Sequence, residues 1–349
     1  MQAAGPTSIS GTANAATATL EVATESAAVL RISASCVDEP GAAKQGGWGT
    51  YVELAKPRIT RLVTMTAAGG FGLSLAGRGL GLAEVALPLV GCIVGTALAS
   101  AGANALNQCM EVGRDARMKR TSARPLPSGR LSLASAVVFG LVMSIAGPLI
   151  LLITCGPSAA LVCFATVVSY LLWYTPLKPV TPLNTWIGAI PGALPPLIGW
   201  CACAWLASPS SLAGLTEAGG WTLFGLMFVW QIPHFLAIAW MHKDDYARGG
   251  YRMLPLQDTV GTHTVAQIMV WAGLLVVASV APWWFMPDRL SIVYAIVAAA
   301  SSLAFMGLAS GLVSDRSPKR ARKVFIASII HLPVLLLAMV IDATARAWS

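Results

Sequence analysis

The segment from residue 132 to residue 154 reads SLASAVVFGLVMSIAGPLILLIT and contains no charged side chain. A helix needs about 20 consecutive, mainly apolar residues to cross the hydrocarbon core of a bilayer. This segment meets that requirement and therefore predicts a transmembrane helix. The rest of the chain is similar, since only 11% of its residues are charged, whereas soluble domains contain about 25%.

Other apolar segments of comparable length lie along the chain, so we predict an all-α, polytopic membrane protein with nine transmembrane helices. Glycine and proline interrupt several segments, which transmembrane helices tolerate because neighbouring groups satisfy the freed backbone. The predicted spans cover residues 59–77, 84–106, 132–154, 157–174, 183–206, 220–241, 262–285, 291–312 and 321–342.

Residues 1–46 are rich in Ala, Thr, Ser and Gly and lack an apolar period, so we expect a disordered tail ahead of a membrane domain at 47–349. The tail contains four acidic and only two basic residues. A mitochondrial transit peptide is rich in Arg and poor in acids, and a secretory signal has a basic start followed by an apolar stretch. Neither pattern is present, which favours a bacterial plasma (inner) membrane over the alternative, a mitochondrial inner membrane.

The basic residues are divided unevenly between the two sides of the predicted bundle. If the N-terminal side is cytoplasmic, 20 of the 23 Lys and Arg residues lie on that side, and Arg78, Arg289 and Arg346 lie on the other. Cytoplasmic loops of membrane proteins carry such an excess. The net charge of +8 is thus explained by topology, and we expect the lipid bilayer as a partner but no nucleic acid.

Three polar residues spaced four apart, Asn107, Glu111 and Asp115, follow the second predicted span. If the helix continues, they form one stripe on its surface. Their side chains supply oxygen ligands and repel one another, and a divalent cation offsets that repulsion. Oxygen ligands that fill only part of a coordination shell suit Mg²⁺, because substrate phosphates and water complete the shell.

Basic residues surround this stripe, and they favour a clamp for a diphosphate. The simpler alternative is a solvated loop with the usual cytoplasmic positive charges. The stripe favours the clamp, because acidic groups at a membrane boundary are costly without a partner. The basic residues are Arg114, Arg117, Lys119, Arg120, Arg124 and Arg130.

A second polar region ends the sixth predicted span. Asp244 and Asp245 are adjacent and diverge by about 100° on a helix, so we expect only Asp245 to face the stripe. On a continuous helix His234 would share a face with Asp245, about 16 Å away. His234 is therefore predicted to face the bundle interior, either as a packed core histidine or as a functional group.

Two short basic runs also lie on the predicted cytoplasmic side. Lys-Pro-Arg at 56–58 enters the first span, and Tyr-Thr-Pro-Leu-Lys at 174–178 leaves the fourth. Both are placed to cap a diphosphate. Interfacial anchors whose charged ends reach the headgroups are an alternative for Lys56 and Arg58.

The stripe belongs to a longer pattern at residues 107–127, N-x3-E-x3-D-x2-M-x-R-T-x2-R-P-L-P. This pattern resembles the first motif of the protohaem IX farnesyltransferases, also called haem O synthases, a branch of the UbiA-type intramembrane prenyltransferases. The Q-I-P-H-F run at 231–235 and D-D-Y-x-R-x-G-x3-L-P at 244–255 resemble the second signature. The two short basic runs match as well, and the resemblance covers residues 50–342.

The resemblance implies a nine-helix bundle whose active site opens at the cytoplasmic side. It further implies farnesyl diphosphate as donor, haem b as acceptor, Mg²⁺ as cofactor and haem O as product. Because haem O is the precursor of haem A, haem A synthase is a candidate partner.

The same resemblance assigns roles to individual residues. Catalysis is assigned to Asn107, Glu111, Asp115, Asp245 and His234. The metal ligands implied are Asn107, Glu111, Asp115, Asp244 and Asp245. Contacts to diphosphate and haem are assigned to Lys56, Arg58, Arg114, Arg120, Arg124, Tyr174, Lys178, Tyr246 and Arg248. Most UbiA-type enzymes have an Asp one turn before Asp245; this chain has Met241 there, so His242 or Asp244 is expected to substitute.

Two alternative functions remain open from the sequence. A sibling enzyme would prenylate a quinone-precursor ring or a chlorophyll-type macrocycle; the Q-I-P-H-F and R-P-L-P runs favour haem. A secondary transporter would carry repeats and charges near the membrane midplane. Here the acidic residues cluster toward one side, which favours an enzyme.

Overall fold

A computed structural model describes residues 47–348 of the chain, and these residues contain helices but no strand. The prediction for residues 1–46 lies outside the described residues. The helices are α1 (Trp48–Leu54), α2 (Pro57–Leu75), α3 (Leu82–Arg117), α4 (Leu133–Cys155), α5 (Pro157–Val168), α6 (Thr175–Leu177), α7 (Asn184–Ala193), α8 (Pro195–Ala207), α9 (Ala218–Met241), α10 (Lys243–Arg248), α11 (Leu254–Gln257), α12 (Thr262–Phe285), α13 (Ile292–Ser314) and α14 (Pro318–Trp348). A π-helical segment, Ser169–Tyr174, links α5 to α6.

Within the described range, eight helical stretches are long and apolar enough to cross a membrane, which confirms the prediction of a polytopic all-α protein. They are Leu82–Asp115, Leu133–Cys155, Pro157–Leu177, Asn184–Ala207, Ala218–Met241, Thr262–Phe285, Ile292–Ser314 and Pro318–Arg346. The first predicted span corresponds to α2, which has 19 residues and lies outside this set of eight. Apolar side chains such as Ile153, Val277 and Trp284 are exposed on the bundle surface, as expected for a surface that faces lipid.

Small residues allow the helices of the first half to pack closely. A Cβ atom added at Gly102 of α3 would lie 2.4 Å from the Ser144 nitrogen of α4, and one at Gly147 would lie 2.5 Å from the Gly95 oxygen. Between α2 and α8, a Cβ at Gly199 would lie 1.7 Å from the Ala67 oxygen. Membrane helices associate through such close backbone approaches. The contacts between α3 and α4 hold α3, the helix that carries the predicted polar stripe, in place.

The second half of the bundle has an aromatic core. α9, α12, α13 and α14 pack together around Trp230, Tyr294 and Phe305. The rise of about 1.5 Å per residue makes α2 roughly 28 Å long, so Lys56 and Arg78, which flank it, lie near opposite ends of the bundle. We call these the Lys56 end and the Arg78 end.

Candidate active site

The polar stripe lies on one continuous helix at the Lys56 end. α3 extends to Arg117, so Asn107, Glu111 and Asp115 share a face, which confirms the prediction of a continuing helix. Their relative exposures are 1%, 5% and 1%. Buried charged groups are retained where they are paired or bind a metal, so the neighbours of these three side chains define the site.

Each stripe residue is paired with a basic side chain from a different segment. The pairs are Lys56 Nζ with Asn107 Oδ1 at 3.2 Å, Lys178 Nζ with Glu111 Oε1 at 2.8 Å, and Arg124 Nη1 with Asp115 Oδ2 at 2.7 Å. The three basic residues lie before α2, after α6 and in the loop after α3. The site is therefore assembled by the tertiary fold from segments that are distant in sequence.

Lys56 has a strained backbone. Its φ of 49° is in the left-handed region, and it is the one non-glycine residue with positive φ among residues 47–348. Such a conformation costs about 1–3 kcal/mol and persists where the surroundings impose it, often at functional sites. The Lys56 N–H donates to the Glu53 carbonyl at 3.1 Å, which closes the turn that presents the Lys56 side chain to α3.

The π-helical segment places Thr175 beside Asn107. Thr175 Oγ1 donates to the Tyr170 carbonyl at 2.9 Å and accepts from Asn107 Nδ2 at 3.1 Å. Because Lys56 donates to Asn107 Oδ1, both ends of the amide are assigned and its orientation is fixed. Turns of π-helix occur frequently at functional sites. Sequence reasoning assigned no role to Thr175, although it lies in a run that was singled out.

The second polar region packs on the loop that follows α3. Asp245 is largely buried and pairs with Arg248, and it accepts a hydrogen bond from the Lys119 backbone. The Arg248 hydrogen bond, followed by the charge of that residue, lowers the pKa of Asp245. Asp244 is exposed. The two neighbours therefore face different surroundings, with Asp245 on the side of α3.

The structure contradicts the continuous helix assumed between His234 and Asp245. α9 ends at Met241 and α10 begins at Lys243, and His242 between them has φ −119° and ψ 31°. The break redirects the chain, so the periodicity that placed both side chains on one face does not extend across it. His234 lies instead among the rings of Trp230, Phe235 and Phe325.

Tyr251 is a site residue that the sequence analysis missed. Its hydroxyl donates to Glu111, and burial, together with the negative charge of Glu111, raises its pKa. The guanidinium of Arg114 lies 5.8 Å from the Tyr251 ring centroid and donates to the Gly249 and Gly250 carbonyls at 3.3 and 3.2 Å. The position of Tyr251 directly after the Gly-Gly pair of the second signature was the available signal.

Two pairs of further predicted contact residues lie beside this centre. Arg120 lies 5.3 Å from the Tyr246 ring centroid, and Lys178 lies 4.5 Å from that of Tyr174. Arg58, by contrast, is exposed at the start of α2. The rings of Tyr246 and Tyr174 thus make cation–π contacts with Arg120 and Lys178.

Positive charge dominates the centre of the site. Burial, followed by the positive charges of Arg124 and Lys178, lowers the pKa of Lys56 to about 7. Burial alone would lower the pKa of Lys178 too, but the adjacent Glu111 carboxylate outweighs it, so that this pKa lies well above its usual value. Cations that repel one another in this way favour a bound anion.

The stripe also offers ligands for a cation. Asp115 Oδ1 is buried and has no hydrogen-bond partner, while Oδ2 accepts from Arg124. No group of three His, Cys, Asp or Glu residues within 47–348 forms a ready cluster for a metal. The oxygen donors present fit a Mg²⁺ ion whose remaining ligands are phosphate oxygens and water. Mg²⁺ binding by the stripe stays a prediction.

Comparisons with known proteins identify the family. The UbiA prenyltransferase family matches residues 62–332. The protohaem IX farnesyltransferase from Opitutus terrae is 39% identical over 86% of this chain and 96% of its own length. The protohaem IX farnesyltransferase from Solibacter usitatus is 41% identical over 84% of this chain and 98% of its own length. The mitochondrial protohaem IX farnesyltransferase of Arabidopsis thaliana is 35% identical over 85% of this chain and 65% of its own length.

Solved structures share the fold at low sequence identity. Digeranylgeranylglyceryl phosphate synthase is similar with a TM-score of 0.67 and 18% identity, over 85% of this chain and 98% of that one. A UbiA homologue from Archaeoglobus fulgidus, bound to GPP and Mg²⁺, is similar with a TM-score of 0.57 and 14% identity. The match covers 83% of this chain and 99% of the homologue. The chain therefore belongs to the UbiA prenyltransferase family, and within it to the protohaem IX farnesyltransferases.

Proposed function

We propose that this chain transfers the farnesyl group of farnesyl diphosphate to a vinyl group of haem b, giving haem O and diphosphate. The observation that carries the proposal is the buried stripe on α3, whose three polar residues are paired with Lys56, Lys178 and Arg124. Such an array of cations around buried oxygen ligands suits a diphosphate. The names of the sequence relatives supply the farnesyl donor and the haem acceptor.

The basic side chains stabilise the departing diphosphate. As the bond between farnesyl C1 and the diphosphate oxygen breaks, its electron pair leaves with the diphosphate, and negative charge grows on the phosphate oxygens. Lys56, Lys178 and Arg124 are held in place before the reaction, so little reorganisation is needed to stabilise that charge. Arg114 and Arg120 extend the same positive surface toward the second signature.

A divalent cation fits this chemistry. Asn107, Glu111, Asp115 and Asp245, with Asp244 as a further candidate, would hold Mg²⁺. When bound, Mg²⁺ supplies additional positive charge to the leaving group. The Mg²⁺ and GPP in the A. fulgidus homologue support metal dependence. The unpartnered Asp115 Oδ1 supports it for this chain.

The apolar bundle shields the intermediate from water. Loss of diphosphate leaves an allylic farnesyl cation, which the electron pair of the haem vinyl group attacks to form a carbon–carbon bond. Water then adds at the resulting positive carbon and loses a proton, which gives a hydroxyethylfarnesyl group. The rings of Tyr170 and Tyr174, 5.5 Å apart beside Lys178, present π faces that stabilise a nearby cation.

The protein is a multi-pass membrane protein, and we place it in a bacterial plasma membrane with the site on the cytoplasmic side. The excess of Lys and Arg at that side supports this orientation. A mitochondrial inner membrane is the alternative, since one relative is mitochondrial. Residues 47–349 form the prenyltransferase domain and residues 1–46 a tail. A haem A synthase is the expected recipient of the product.

Mass spectrometry of haem tests the function. Cells that express the chain should accumulate haem O, and matched cells with an empty vector should not. Purified protein with farnesyl diphosphate and Mg²⁺ should convert haem b in preference to an aromatic acid or a chlorophyll-type macrocycle. Conversion of one of those acceptors without haem O would assign a different acceptor. Absence of diphosphate release with every acceptor would overturn prenyl transfer.

A further inference from the structure

His234 packs against two aromatic rings and one serine hydroxyl. The rings of Trp230 and Phe325 lie 4.9 Å and 5.2 Å from the His234 ring, measured between centroids. Ser328 Oγ of α14 lies 2.7 Å from His234 Nδ1. Trp230 Nε1 donates to the Ser328 carbonyl at 2.9 Å. We call these four residues the His234 cluster.

The hydrogen bonds of Ser328 determine which nitrogen of His234 carries the proton. Ser328 Oγ donates its single proton to the Phe325 carbonyl at 2.6 Å, because a carbonyl only accepts. Ser328 Oγ must then accept from His234 Nδ1–H. A charged imidazolium is costly inside a membrane, so the ring is neutral and has one N–H. His234 Nε2 therefore carries a lone pair.

The position of His234 suits contact with a macrocycle. It precedes the end of α9 by seven residues, about 10 Å at the helical rise. A flat apolar macrocycle at that depth lies in the hydrocarbon, with its propionates toward the headgroups. The His234 side chain is only partly buried, so a ligand has access to it. A neutral imidazole is a common axial ligand of haem iron, and a second hydrogen bond sets its tautomer.

We infer that Ser328 is a positioning residue that holds His234 as the Nδ1–H tautomer, and that His234 Nε2 ligates the iron of the acceptor haem. This inference rests on the proposed function, because haem is the acceptor there. Ligation fixes the macrocycle in one plane and so limits which vinyl group approaches the farnesyl cation. Ser328 acts on the iron only through the imidazole.

His331 provides an internal control. It lies three residues after Ser328 on α14 and is 2% exposed. Its Nδ1 lies 2.8 Å from Ser301 Oγ and its Nε2 lies 3.4 Å from Ser279 Oγ. Both ring nitrogens are engaged, so His331 joins α12, α13 and α14 and has no nitrogen left for iron. Ser301→Ala therefore removes a serine–histidine contact in the same helix bundle without affecting the proposed ligand.

Absorption spectroscopy of the purified full-length protein with added haem b tests the inference. The wild type should show the spectrum of a nitrogen-ligated haem and bind haem b more tightly than metal-free protoporphyrin IX. His234→Gly should lose both properties, and added imidazole should restore the spectrum. Ser328→Ala should weaken haem binding about 10–100-fold, the usual effect of losing a hydrogen bond behind a histidine ligand. Ser328→Thr should recover most of it, and Ser301→Ala should match the wild type.

Two outcomes would overturn the inference. One is an unchanged haem spectrum in His234→Gly, and the other is equal weakening by Ser328→Ala and Ser301→Ala. The imidazole rescue separates loss of the ligand from loss of the fold. Haem O formation by the wild type is measured alongside. If haem O forms while the spectra do not depend on His234, the inferred iron ligation is wrong and the proposed function stands. If the wild type forms no haem O, the proposed function fails independently.

Discussion

The two ends of the bundle both contain partly buried basic groups, but the two sets have different partners. At the Arg78 end, Arg78 Nη2 pairs with Glu217 at 2.5 Å and its Nε donates to the Ser74 carbonyl at 2.6 Å. Arg289 donates to the Ala76 carbonyl at 2.8 Å and lies 4.9 Å from the Trp200 ring centroid. These guanidinium groups satisfy carbonyls at the end of α2, which would otherwise lack partners.

At the Lys56 end, basic side chains contact the polar side chains of the stripe rather than helix termini. Lys56 and Lys178 donate to Asn107 and Glu111, and one oxygen of Asp115 remains without a partner. Similar charged groups therefore cap a helix at one end and surround the proposed diphosphate site at the other. The partners of a buried charge, rather than its presence, distinguish a site from a structural contact.

The largest effect is expected from the stripe itself. Asp115→Ala and Glu111→Ala should each reduce farnesyl transfer about 1,000-fold or more, because each removes a proposed metal ligand and a partner of a basic residue. Turnover is measured as haem O formed by purified protein, and membrane insertion as yield after extraction. Glu217→Gln at the Arg78 end is the matched control. Normal turnover in the Asp115 variant would remove that residue from the site.

Substitution of Lys178 should affect both activity and stability. Lys178→Met leaves the Glu111 carboxylate buried without its cation, which costs about 3–5 kcal/mol when one member of a buried pair is removed. Activity should fall about 100-fold, since a preorganised positive charge near the leaving group is lost. Thermal unfolding and steady-state rates are measured on the same preparation. Lys319→Met, at an exposed position, should behave as the wild type. Equal stability and rate in Lys178→Met and Lys319→Met would contradict a special role for Lys178.

The difference between the two ends was only partly accessible from the sequence. The spacing of Asn107, Glu111 and Asp115 is local information, so the helical period predicted their shared face. The break at His242 has no Gly or Pro to mark it, and the left-handed backbone of Lys56 is unusual for a residue other than glycine. The pairing of Lys178 with Glu111, and the contact of Tyr251 with the same carboxylate, depend on tertiary packing that a local pattern does not contain.

A smaller effect is expected from the hydroxyl group of Tyr251. Tyr251→Phe removes the hydrogen bond to Glu111 but keeps the ring that packs near Arg114. A hydrogen bond to a charged group contributes about 1.5–3 kcal/mol, and a tenfold rate change corresponds to about 1.4 kcal/mol. We expect kcat/KM for farnesyl diphosphate to fall about 10-fold, with haem binding unchanged. A wild-type rate would show that Lys178 alone suffices to position Glu111.

The smallest effect on activity is expected at the Arg78 end. Glu217→Gln removes the charge that Arg78 contacts and weakens the acceptor of Trp200 Nε1, which donates to Glu217 at 2.9 Å. The partly exposed pair is screened by solvent, so the free energy of unfolding should fall by only about 1 kcal/mol. Farnesyl transfer should stay within threefold of the wild type, because Glu217 lies at the opposite end of α2 from Lys56 and the stripe, and α2 is roughly 28 Å long. Chemical denaturation and haem O formation are measured in parallel. A loss of activity comparable to that of Lys178→Met would mean that the Arg78 end also takes part in substrate binding, and the division between a capping end and a binding end would be wrong.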